Sequence, residues 1–167
     1  MDHLWTPWRS TYIQADKTQT GCIFCLAAAS SDDEQTLVVH RAEFNFIILN
    51  RYPYTSGHLM IAPYQHAQRL QGLNVNSTTE MMRLARMAEA VIESVYRPHG
   101  LNLGLNLGEA AGAGIEQHLH LHALPRWKGD ANFMTSVGNT RVVPELLEQT
   151  YVKLKTGFDA ALTNVNP

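Results

Sequence analysis

Three histidines alternate with leucine in the run His118-Leu119-His120-Leu121-His122, which continues as Ala123-Leu124-Pro125-Arg126-Trp127. Near neutral pH an imidazole serves as nucleophile, proton carrier or metal ligand. In an extended strand side chains alternate faces, so the spacing predicts three rings on one side and two leucines in a core on the other. The run is internal and interrupted, unlike a purification tag. A second feature is Cys22-Ile23-Phe24-Cys25, which holds both cysteines of the chain. Without an export signal, this spacing points to metal or redox chemistry ahead of a structural disulfide. A third is the loop Gly112-Ala113-Gly114-Ile115 just before the histidine run. Its glycines let backbone N–H groups approach an oxyanion, which makes it a candidate anion cradle.

These groups need elements to position them. Thr36–His40 and Phe44–Asn50 are rich in β-branched and aromatic residues and predict a hairpin. Most of the apolar side chains between Phe44 and Leu49 are assigned to the core. Arg51 to Gly57 is a loop by its Pro and Gly content, and His58–Ala62 is a third strand stopped by Pro63. Ser77-Thr78-Thr79-Glu80 has capping-box spacing. Met81, Leu84, Ala85, Ala88, Val91, Ile92 and Val95 then repeat with helical period, predicting a long helix that stops near Arg97–Gly100. Leu101 to Leu107 alternates with period two as a fourth strand, and the histidine run is the fifth. A helical pattern returns from Pro144 to Lys155. Hairpin-joined strands with a helix between two groups imply an antiparallel α+β fold. We divide the chain into an N-terminal arm (1–21), a main domain (22–155) and a C-terminal tail expected to fray (156–167).

The chain has 167 residues, enough for one domain with a proper core, and a formal net charge of -2. There is no long basic run, which argues against a nucleic-acid backbone binder. The N-terminal residues lack the charged and apolar regions of a signal peptide, and no apolar stretch is long enough to span a bilayer. The expected location is therefore the cytoplasm.

The pattern His118-Leu119-His120-Leu121-His122-Ala123-Leu124 resembles the histidine triad (HIT) superfamily of nucleotide hydrolases and transferases. Asn50, Pro53, Gly57, His58, Pro63 and His66 are similar to that family's N-terminal half. Leu4-Trp5-Thr6-Pro7-Trp8-Arg9 and Asp130-Ala131-Asn132-Phe133-Met134 resemble a bacterial branch of diadenosine tetraphosphate (Ap4A) hydrolases and phosphorylases. The resemblance implies a five-stranded antiparallel sheet with one long helix and a C-terminal helix, paired as a homodimer. It implies that His120 attacks the α-phosphorus of a nucleotide or dinucleoside polyphosphate, forming a nucleotidyl-histidine. The carbonyl of His118 would fix the tautomer of His120, and His122 would steady phosphate oxygens. Asn50 would bond ribose hydroxyls, an Asx turn being an equally good reading of that residue. His58 would support the triad, and Asn106 would take a polar role before the glycine loop.

In zinc-bearing triad proteins the corresponding ligands are Cys22, Cys25, His66 and His118, giving a closed structural Zn2+ site, one per chain. Better-known triad proteins carry a Gln and a Ser or Thr where this chain has Gly114 and Ile115, so a side-chain donor to the leaving group is missing. Two other functions fit the residues: a nucleoside phosphoramidate hydrolase, and a zinc-stabilised nucleotide-binding protein without turnover.

Overall fold

The computed structural model describes residues 21–130 and 145–163. The opening arm up to residue 20, the Asn132-Phe133-Met134 segment and residues 164–167 lie outside the described residues. Five strands form one antiparallel sheet: β1 (Val38–Arg41), β2 (Asn45–Leu49), β3 (Leu59–Pro63), β4 (Gly100–Leu105) and β5 (Leu121–Arg126), in the order β1-β2-β3-β5-β4. Among the described residues four α-helices accompany it: α1 (Ile23–Ala29), α2 (Asp33–Thr36), α3 (Val75–Tyr96) and α4 (Leu147–Thr163). The α+β architecture expected from the sequence is therefore present. No helix among the described residues is long and apolar enough to cross a membrane.

The helical repeat of α3 buries Met81, Leu84, Ala85, Ala88, Val91 and Ile92. A β-carbon at Gly157 on α4 would lie 2.8 Å from Val91, so the missing side chain lets the two helices close up. Fraying was expected from residue 156, but α4 runs on through Thr163 and buries Phe158, which stacks on His40 with ring centroids 6.0 Å apart.

Two local expectations change. Ser77 is not the cap of α3. Asn74 is, its side chain accepting the Ser77 N–H at 2.7 Å, while Ser77 is buried one turn inside. Glu80 is drawn away from the capping role by stronger partners: its carboxylate accepts the backbone N–H groups of Glu43 and Phe44 and the Asn45 amide, pinning the β1–β2 turn. The stretch Ser30–Gln35, read as loop, contains the start of α2, because the Asp32 carboxylate caps the Gln35 N–H.

Arg41 at the end of β1 reaches back to the last turn of α1. Its guanidinium donates to the carbonyls of Ala27, Ala28 and Ser30 and to the carboxylate of Asp33. These contacts fix the short cysteine-bearing helix beside the sheet.

Candidate active site and metal centre

β5 pairs with β3 as Leu59↔Ala123, Met60↔His122 and Ile61↔Leu121, and the ladder then stops. In the same register Pro63 would face Leu119, and proline has no N–H to donate. The histidine run was expected to be one strand. Only His122 lies in it; His118 and His120 precede it in an interrupted stretch. The interruption leaves backbone acceptors for imidazoles. The His118 Nε2 lies 2.8 Å from the Pro63 carbonyl, and the His120 Nδ1 lies 2.8 Å from the His118 carbonyl. A carbonyl can only accept, so each of these ring nitrogens carries the proton. His118 is left with a bare Nδ1 and His120 with a bare Nε2.

His122 is set by a different chain of contacts. Asn50 Oδ1 accepts the Tyr52 N–H at 2.9 Å, which orients the Asn50 amide so that Nδ2 faces His58 Nδ1 at 3.3 Å. The Tyr54 N–H also donates to His58 Nδ1, at 3.2 Å. Two donors on Nδ1 place the His58 proton on Nε2. That Nε2–H donates to His122 Nδ1 at 2.9 Å. The proton of His122 is consequently on Nε2. His120 and His122, with ring centroids 4.7 Å apart, therefore hold opposite tautomers: one bare nitrogen beside one N–H donor.

Burial sorts the four rings. His118 and His58 are 0% and 1% exposed, whereas His120 and His122 each keep 7% of their surface open. The two rings assigned to chemistry are the two that solvent reaches. Burial lowers the proton affinity of His120 and drives that of His122 down to about 4, the latter helped by the charge His120 would carry. Both are neutral near pH 7. Tyr54 adds an aromatic ring beside His58, with centroids 4.8 Å apart. Gly57 takes φ +77°, and a β-carbon there would meet Tyr96 at 2.8 Å, so only glycine delivers the loop to His58 in this conformation.

The remaining sequence candidates fall less closely. Asn106 directly follows β4, just past Leu105↔Leu121, the pair at which the β4–β5 ladder ends. In the glycine loop, the Gly112 N–H donates to the Glu109 carbonyl and the Ala113 N–H to that of Gly108. Those two amides are engaged in the turn. Ile115 packs against the core, and Gly114 lies between the turn and that contact. Trp127 meets Tyr96 edge to face, with centroids 6.3 Å apart.

Cys22, Cys25, His66 and His118 converge, with their ligand atoms all within 4.8 Å of one another. The sulfur of Cys22 is 3.2 Å from His118 Nδ1; that of Cys25 is 3.2 Å from His66 Nδ1 and 3.6 Å from His118 Nδ1. In tetrahedral coordination with usual zinc bond lengths, sulfur and nitrogen ligands sit about 3.6 Å apart. The donor set thus fits zinc, with His118 presenting its bare Nδ1 and holding its other nitrogen on Pro63. Burial and the adjacent Cys22 thiol push the Cys25 thiol up; a bound dication would reverse that and would be held by both sulfurs as thiolates. His66 reaches the cluster because the Ala67 carbonyl accepts the Leu119 N–H at 2.7 Å, drawing the two segments together.

Phe24, between the two cysteines, has no polar atom to mark it in the sequence. It is completely buried, with its ring 5.0 Å from His118 and 4.8 Å from His120.

A sequence profile of the HIT domain matches residues 32–129. The chain belongs to the HIT domain family. Among relatives of this HIT protein, an AP-4-A phosphorylase of Mycobacterium tuberculosis is 40% identical over 163 residues, covering 93% of this chain and 84% of that protein. An asymmetrical bis(5'-nucleosyl)-tetraphosphatase of Schizosaccharomyces pombe is 30% identical over 93 residues, 56% of this chain and 50% of that one. Among solved HIT structures, a Zn-bound histidine triad family protein from Mycobacterium smegmatis superposes with a TM-score of 0.68 at 24% identity, covering 87% of this chain and 98% of that one. That likeness establishes the fold.

Proposed function

We propose that this HIT protein is an enzyme that cleaves dinucleoside polyphosphates of the Ap4A type through a nucleotide bound transiently to His120. The observation that carries the reading is the opposed tautomers of two neighbouring, solvent-reached imidazoles. The bare Nε2 of His120 attacks the α-phosphorus. The P–O bond to the leaving nucleoside polyphosphate breaks, and its oxygen keeps the electron pair. The Nδ1–H of His120 stays on the His118 carbonyl and shares the positive charge that develops on the ring. The Nε2–H of His122 donates to a phosphoryl oxygen as negative charge builds. A second nucleophile then displaces His120 from phosphorus. With Ap4A, inorganic phosphate yields ADP and ATP, and water yields AMP and ATP. Similarity to an AP-4-A phosphorylase over 84% of its length favours phosphate.

Asn50 and Asn106 are the proposed polar neighbours of the bound nucleotide, with Asn50 also orienting His58. Gly112, Ala113, Gly114 and Ile115 remain candidates for contact with the leaving group. Cys22, Cys25, His66 and His118 would hold zinc. The ion would cross-link α1 to the stretch that carries His120, in a closed set with no open position. The chain is further proposed to pair through β4. This edge strand alternates leucine with small or polar residues and leaves Leu103 44% exposed.

The test is turnover of Ap4A with and without phosphate by wild type and His120→Ala, with mass analysis of acid-quenched enzyme. ADP formed only with phosphate, and an adenylylated His120 peptide, are expected. Absence of any turnover would point to nucleotide binding alone.

A further inference from the structure

We propose that Phe24 is a positioning residue through which metal occupancy sets the ring of His120; this rests on His120 being the nucleophile. The two cysteines and Phe24 share one turn of α1. Cys22 and Cys25 approach His118 on its Nδ1 side, at 3.2 and 3.6 Å. Phe24 lies against His118 at 5.0 Å and, on the same helix, against His120 at 4.8 Å. The ring planes are tilted by 43° and 33°. Phe24 is fully buried, so it has no face to offer a substrate. Besides the core residues it packs among, it touches the two imidazoles themselves.

The His120 ring is 7% exposed and is hydrogen-bonded at its Nδ1 edge. Its Nδ1–H holds the His118 carbonyl, and that single bond allows the ring to swing about the Cα–Cβ and Cβ–Cγ axes. His122 meets one side edge to face, with planes at 75°. Phe24 supplies a second surface, and between the two the ring plane is defined. Phe24 in turn is placed by the helix whose cysteines face His118. Without a cation the cysteine turn would lose its cross-link to His118 and keep only the burial of Phe24 and Ala27 and the Arg41 contacts at the far end of α1, so that Phe24 could shift against the imidazoles. His120 then loses its fixed plane while its hydrogen-bond partner stays in place.

The experiment reads the ring without turnover, so an enzyme inactive on dinucleotides would leave it intact. Long-range proton–nitrogen spectra of the imidazoles are recorded for three samples: wild type with zinc, wild type stripped by chelator, and Phe24→Leu reloaded with zinc. Phe24→Leu keeps apolar volume and both cysteines. The expected result is a single Nδ1–H pattern for His120 in loaded wild type, and shifted or averaged signals in both other samples. Phe24→Leu should still bind one zinc per chain. Its kcat should fall about 10- to 100-fold with KM changed less than about twofold, since orientation rather than binding is lost. Unchanged His120 signals in zinc-loaded Phe24→Leu, or in stripped wild type, overturn the proposal. If one preparation fails to fold, the other decides alone.

Discussion

His58 Nε2 donates to His122 Nδ1 at 2.9 Å, and the tautomer of both rings is dictated by the backbone N–H of Tyr54 on the far side of His58. The N–H proposed to face the phosphate is thus specified from the loop that follows β2. His58→Ala should lower kcat about 10- to 100-fold, because His122 could then place its proton on either nitrogen. Steady-state kinetics on Ap4A, together with the His122 nitrogen shifts, check this. Loss of binding with kcat preserved would contradict it.

Acid should destabilise the protein through His122. Its pKa is about 4 in the folded chain against 6.5 for an ordinary imidazole. As pH falls below 6.5 the unfolded chain takes up the proton first, so stability declines until about pH 4 and changes no further from this group. The whole loss is about 3 kcal/mol. Urea midpoints at pH 7 and pH 4.5 should differ more for wild type than for His122→Asn. Both proteins are stripped of metal beforehand, so that thiolate protonation does not enter.

Protein purified without chelator should carry one zinc per chain. Removing it should lower the melting temperature by roughly 10 °C, a few kcal/mol for a chain of this size. His66→Ala should weaken retention less than Cys22→Ser, because His66 is exposed and Cys22 half-buried. Elemental analysis and thermal melts decide. A metal-free protein with an unaltered melt would remove the metal centre from the description.

Leu103 on the sheet edge should report on pairing between copies. Leu103→Lys places a charge on an exposed apolar position of an edge strand, a substitution that discourages edge-to-edge association. Sedimentation should find wild type as a dimer and the variant as a monomer. A monomeric wild type would show that β4 has no partner.

Much of this was readable beforehand because periodicity is a local signal. The leucine–histidine alternation, the 3.6-residue repeat from Met81 to Ile92 and the grouping of Cys22, Cys25, His66 and His118 all stood in the sequence, the last through resemblance. What escaped depended on partners far along the chain. Ser77 and Glu80 have capping-box spacing, yet Glu80 is claimed by Glu43, Phe44 and Asn45. The break in the histidine strand originates at Pro63, 55 residues before His118. Phe24 looks like filler between two cysteines, and its two imidazole neighbours appear only once α1 is docked. No periodic pattern records such encounters.

The grip of Arg41 on Ala27, Ala28 and Ser30 owes nothing to sulfur or metal. It tethers the cysteine arm at its trailing end. If the four donors hold an ion, its departure would unfasten one end only, and the arm would pivot about the other. Both thiols would then remain at a high effective concentration over His118, making recapture of the ion an intramolecular event rather than a search.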